Sequence, residues 1–157
     1  MSDDLLLDDR PSIGRIVDLE HRLAVRVYYE DTDFTGVVYH GNYLRFFERG
    51  RSEMLRVMGT PPGRDDHGAF AVTRIVVDYK GAARIHDELV VHTRFVGMKG
   101  PRLIFRQLIT RGGATLTEAE VVAVAIHADG RARKPSATEL SHWDAYKVAS
   151  MDASGAA

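Results

Sequence analysis

The chain has 157 residues, enough for one domain, with an apolar share of 45% and a net charge of −1. Charges of both signs are scattered along it, which argues against a dominant nucleic-acid or membrane-surface partner. Cysteine is absent, so disulfides, thiolate metal sites and a cysteine nucleophile are excluded.

Residues 1–20 read as an N-terminal arm, interrupted by Pro11 and Gly14, with Ile13, Ile16 and Val17 able to dock as a short turn. The opening MSDDLLLDDR is acidic and has only a three-residue apolar run, unlike a secretory or transit signal. No run approaches the roughly 20 apolar residues of a membrane span, and a cytoplasmic setting is the expectation. Residues 21–29 alternate, Leu23, Val25, Val27 and Tyr29 against Arg22, Arg26 and Tyr28, as a half-buried strand does. An acidic turn with Asp31, Asp33 and Gly36 follows over residues 30–39.

Residues 41–58 predict the main helix. Tyr43, Leu44, Phe47, Met54, Leu55 and Met58 form its apolar stripe, and Gly41 or Asn42 is its N-cap. Gly59, Pro61, Pro62 and Gly63 stop it, and residues 64–68 make a polar connection. The period then changes to two. Strands are expected at 69–80, 87–98, 102–111 and 115–127, with reversals at Lys99-Gly100-Pro101, Gly112-Gly113 and Asp129-Gly130. Thr117, Ala119, Val121, Ala123 and Ala125 give the last strand a small-residue face, suited to the sheet centre beneath a helix. A short helix at 139–148 and a disordered tail from 150 complete the chain.

The fold class is therefore α+β: an antiparallel sheet of five strands, or slightly more, with one long helix on it. One helix leaves much of such a sheet uncovered, and a homo-oligomer is the natural remedy.

A carboxylate held beside a helix N-terminus has a chemical use. Free backbone N–H groups bind an oxyanion while the carboxylate attacks or activates water. Asp33 and Asp31 are both candidates, and either also suits a capping or Asx-turn role. His40 is placed to orient water, to bond substrate or to cap backbone. Asn42 caps the helix or holds the loop. Glu48 is read as an ion-pair partner of Arg45 or Arg51. The spacing of His86 and His92 does not suit a metal, and no metal site is expected.

The series Tyr28-Tyr29-Glu30-Asp31-Thr32-Asp33, Gly36-Val37-Val38-Tyr39-His40-Gly41-Asn42-Tyr43 and Phe47-Glu48-Arg49-Gly50-Arg51-Ser52-Glu53 resembles the hotdog-fold thioesterases of the 4-hydroxybenzoyl-CoA thioesterase-like family. Within it, the chain is most similar to acyl-CoA thioesterases associated with the Tol–Pal cell-envelope system. The resemblance covers about residues 25–134, leaving an arm at 1–20 and a C-terminal segment at 135–157. It implies a hotdog domain over residues 21–134, with the sheet wrapped around the long helix, that hydrolyses short aliphatic or aromatic acyl-CoA.

The resemblance also implies that Asp33 is the catalytic carboxylate, and that backbone amides near Tyr39, His40 and Gly41 polarise the carbonyl. No cofactor is implied beyond the coenzyme A of the substrate. Dimers of hotdogs, often paired into tetramers with sites between subunits, are implied too, with a Tol–Pal link by resemblance only. Phe34, Asn42, Tyr43 and Phe47 are the expected acyl-side contacts. Lys99, Gly100 and Arg102 are the expected contacts of the coenzyme A phosphates. The rival reading is a non-enzymatic acyl-CoA-binding or envelope-assembly protein of the same fold.

Overall fold

The computed structural model describes residues 9–63 and 69–148. The expected polar connection at 64–68 and the tail from 150 lie outside the described residues. Among the described residues, six strands form one antiparallel sheet: β1 (Arg15–Val17), β2 (Glu20–Arg26), β3 (Ala69–Tyr79), β4 (Glu88–Lys99), β5 (Arg102–Arg111) and β6 (Ala114–Ile126). Their spatial order is β1-β2-β4-β5-β6-β3. The long helix α1 (Asn42–Val57) packs against β4, β2 and β5, and a second helix, α2 (Ala137–Asp144), follows the sheet. Among the described residues, no helix is long and apolar enough to cross a membrane.

The sixth strand comes from residues expected as an arm. Asp18 and Leu19 take φ of 50° and 64°, which makes a two-residue turn whose twist matches paired strands, so β1 folds back on β2. His21 secures it from below, its buried ring bonded through Nε2 to the Ile13 carbonyl at 2.7 Å. At its other end β2 stops at Arg26, short of the expected Tyr29, because the chain turns into a 3-10 turn at Tyr29–Asp31.

Helix α1 ends as its glycine demands. Gly59 adopts φ +85°, its N–H bonds the Arg56 carbonyl at 3.0 Å, and the Thr60 N–H reaches back to Leu55 at 2.8 Å. Helix α2 begins two residues before the expected position 139. Ser136 and Glu139 cap each other's backbone, a Ser-x-x-Glu signal that the sequence carried openly. This helix closes the core: Trp143 is buried against Phe70 and Phe95, its Nε1–H bonds Thr60 Oγ1 at 2.9 Å, and His142 Nδ1 bonds the Met58 carbonyl at 2.8 Å.

The small-residue face of β6 is buried, yet β6 lies second from the sheet edge and α1 crosses elsewhere. The close approach is at Gly50, over Val91 and Thr93 of β4 and Gln107 of β5. Gln107 is 1% exposed and fully used. Its Nε2 donates to the Phe47 carbonyl and to Thr93 Oγ1, both at 2.9 Å, and its Oε1 accepts from Arg51 at 3.0 Å. That polar tie fixes the height and register of α1 on an otherwise apolar bed. On the other sheet face, Glu20 accepts from Arg22, His92 and Arg94 at 2.9, 2.7 and 2.8 Å. Burial acts to raise the Glu20 pKa, but these bonds outweigh it and bring the group down to about 2.

Gly50→Ala would put a Cβ 2.7 Å from Thr93 Oγ1 and Val91 Cγ1, so it should destabilise the protein by about 1–3 kcal/mol in urea unfolding. An unchanged midpoint would contradict the close packing. Because the Glu20 pKa is depressed on folding, its stabilisation is fully present above about pH 4.5 and fades as pH falls toward 2. Glu20→Gln should therefore cost about 2–3 kcal/mol at pH 7, and its stability should change less than the wild type's across that acid range.

Candidate active site

Between β2 and α1 the chain builds a small hairpin. The Tyr39 N–H bonds the Asp31 carbonyl at 3.0 Å, Thr32 bridges Val38, and the Asp33 N–H bonds the Val37 carbonyl at 2.9 Å. A turn at Asp33–Gly36 closes it, with Gly36 at φ +84°, a conformation that favours glycine. The two aspartates of the motif serve opposite ends of this device. Asp31 is 4% exposed. Its Oδ2 accepts from the Tyr28 N–H and its Oδ1 from Asn42 Nδ2, both at 2.7 Å. It therefore ties the end of β2 to the first residue of α1.

Asp33 is at the accessible end. Its Oδ1 accepts the Thr35 hydroxyl and, at 2.8 Å, the Thr35 N–H, an Asx-turn arrangement. Oδ2 carries no hydrogen bond within the described chain. The Thr35 hydroxyl and then its amide hold the Asp33 carboxyl below the usual aspartate value, and the nearby His40 adds to this. The group is thus an anion at neutral pH.

The amides at the helix entrance divide into used and unused. Those of Tyr39 and Asn42 are committed to the carbonyls of Asp31 and Tyr39. Those of His40 and Gly41 make no hydrogen bond within the described chain. Gly41, not Asn42, is the N-cap, without a side-chain cap of its own. Its missing Cβ leaves room for the Tyr39 ring, which would lie 2.9 Å from such an atom. Tyr79, from the end of β3, donates its hydroxyl to the His40 carbonyl at 2.9 Å.

Asp33, Tyr39, His40 and Gly41 therefore all lie on the short segment between β2 and α1, with Asp33 near enough to His40 for the two charges to interact, although the Tyr39 amide is spent on structure. Phe34 stands fully exposed at the hairpin tip beside Asp33. Asn42, Tyr43 and Phe47 pack inside this chain. All three are buried: Asn42 holds Asp31, Tyr43 accepts the Ala83 N–H on its hydroxyl at 2.9 Å, and Phe47 faces the sheet. Lys99, Gly100 and Arg102 lie at the far end of β4, about 40 Å of strand from the Asp33 loop, so they do not join that site within one chain. Among the described residues, Glu48 makes no direct salt bridge, although its charge acts on Arg51. It lines a cleft of about 620 Å³ with Arg51, Leu55, Phe70, Val72 and Phe105, between α1 and the start of β3. Among the described residues, no three acidic or histidine side chains are grouped to hold a metal ion.

Tyr79 escaped the sequence reading. Its signal was the alternation that places it on one face with Ile75 and Val77, as the last and most exposed of the three at the end of a strand.

A family model described as the thioesterase-like superfamily matches residues 27–151. The chain is similar to acyl-CoA thioester hydrolase YbgC of Escherichia coli O6:H1, 43% identical over 123 residues, covering 76% of this chain and 90% of that one. Acyl-CoA thioesterase YbgC of Haemophilus influenzae is 41% identical over 109 residues, covering 68% and 80%. Among solved structures, a probable thioesterase from Bartonella henselae superposes with a TM-score of 0.70 at 36% identity, covering 74% of this chain and 99% of that one. A thioesterase from Thermus thermophilus, solved with coenzyme A and Zn, gives a TM-score of 0.69 at 26% identity, covering 80% and 92%. The chain belongs to the thioesterase-like superfamily, and its sheet wrapped on one long helix is the hotdog fold.

Proposed function

We propose that the protein hydrolyses acyl-CoA thioesters, with Asp33 as the reacting carboxylate and the free amides of His40 and Gly41 as the oxyanion site. The observation that carries this is the pairing of an ionised carboxylate with unspent N–H groups at one helix entrance. Relatives named acyl-CoA thioester hydrolases support it. Asp33 Oδ2 attacks the thioester carbon, the two amides hold the developing oxyanion, and the coenzyme A thiolate departs. Water then cleaves the mixed anhydride, releasing the free acid and restoring the carboxylate.

The working unit in this proposal is at least a dimer. Strand β3 is an edge with Val72, Val76 and Tyr79 exposed. Antiparallel pairing of β3 with a copy of itself would set the copy's Phe70–Val72 cleft beside the Tyr79 end. The acyl group, short aliphatic or aromatic, would then lie between subunits, with Phe34 at its rim.

Thiol release over a panel of aliphatic and aromatic acyl-CoA esters tests the activity. Tight binding without release of thiol across that panel would reject it in favour of a binding protein. Asp33→Asn keeps an acceptor for Thr35, so it should retain the wild-type melting temperature while losing roughly 10²–10⁴-fold in kcat. Asp31→Ala should behave differently. It strands Asn42 and the Tyr28 N–H in a buried setting, so about 1–3 kcal/mol of folding stability should go with it, read by urea unfolding.

A further inference from the structure

The two peptide units that supply the proposed oxyanion amides are each held by the carbonyl. In the unit joining Tyr39 to His40, the carbonyl accepts the Asn42 N–H at 2.8 Å. In the unit joining His40 to Gly41, the carbonyl accepts the Tyr79 hydroxyl at 2.9 Å. Both peptides are trans and planar, so the N–H points opposite to the C=O. Whatever fixes the carbonyl direction therefore fixes the direction of the amide. The first unit is held by a backbone N–H, which side-chain truncation leaves in place. The second is held by one hydroxyl on a strand distant in sequence.

We propose that Tyr79 is a positioning residue of the oxyanion site, its hydroxyl anchoring the His40 carbonyl and so aiming the Gly41 N–H at the substrate. This rests on the thioesterase reading. The tyrosine is well placed for the task. Its ring packs edge-on against Tyr43, with centroids 5.6 Å apart, and against His40 at 6.3 Å. Tyr43 is itself locked by the Ala83 N–H. Partial burial, with Tyr43 and Tyr39 close by, raises the Tyr79 pKa, so the hydroxyl stays a donor throughout the neutral range. Donation to a carbonyl also polarises that peptide and strengthens its N–H as a donor.

The test uses the full-length protein with Tyr79→Phe and Tyr79→Leu. The first removes only the hydroxyl; the second removes the ring as well. Expected are comparable falls in kcat of about tenfold for both variants, with KM within about twofold of wild type. The Gly41 amide ¹⁵N resonance should also move in Tyr79→Phe, because the nitrogen reports hydrogen bonding at the carbonyl that precedes it. If Tyr79→Phe matches wild type in kcat while Tyr79→Leu is impaired, the residue acts by packing and the proposal fails. A raised KM with an unmoved Gly41 resonance would also overturn it. The resonance reads the bond even if no acyl-CoA is cleaved. Absence of thiol release by wild type would sink the thioesterase reading, whereas active wild type with an unaffected Tyr79→Phe would sink this inference alone.

Discussion

Everything at the candidate site depends on one buried carboxylate. Asp31 takes the Tyr28 N–H on one oxygen and Asn42 on the other, and its own carbonyl takes the Tyr39 N–H. These three bonds join a strand end, a hairpin and a helix start at a single point. A charged group at 4% exposure is costly unless fully partnered, so the arrangement tolerates few alternatives. The loop that carries Asp33 and the peptides that carry the free amides are thereby set relative to each other by a rigid link, not by a flexible connection.

The same logic operates along the body of α1. An apolar stripe alone would let the helix slide on its sheet, since hydrophobic contact has no direction. Gln107 supplies direction by gripping the Phe47 carbonyl and Thr93 together, and Gly50 lets the backbone come low enough for that grip. At the far end, the Schellman turn at Gly59 and the α2 contacts at Met58 and Thr60 hold the helix C-terminus. The helix is thus pinned at its start, its middle and its end, which keeps the orientation of its N-terminal amides from drifting.

Much of this was legible in the sequence because it depends on periodicity and punctuation. The helix over 41–58 and the four long strands follow from their patterns, and the placing of Asp33, His40 and Gly41 on one segment ahead of the helix follows from their closeness in the chain. What was not legible depends on pairing at a distance. The β1 strand is three residues long, below the length at which alternation is readable, and exists because β2 offers it an edge. Tyr43 and Phe47 sit on the stripe that any amphipathic helix turns inward, so apolar character near Asp33 goes with core packing in this chain. Lys99 and Arg102 carry charge at a turn, a purely local signal, and only the direction of β4 reveals that this turn is at the other end of the sheet. Tyr79 lies 39 residues from the carbonyl it holds, a separation that no local motif encodes.

The division of labour between the two aspartates carries a physical consequence. Asp31 cannot take a chemical role without releasing the helix, since both its oxygens are engaged. Asp33 spends one oxygen on Thr35 and keeps the other, and it is half-buried beside a fully exposed Phe34. A carboxylate that water still reaches attacks poorly, because its hydration must be shed first. The unpaired edge of β3, which ends at Tyr79 within hydrogen-bonding distance of the same loop, is the direction from which a cover can arrive. Assembly along that edge would dry the carboxylate and enclose the acyl group in one step, so under the proposed reading catalysis and oligomerisation draw on the same surface.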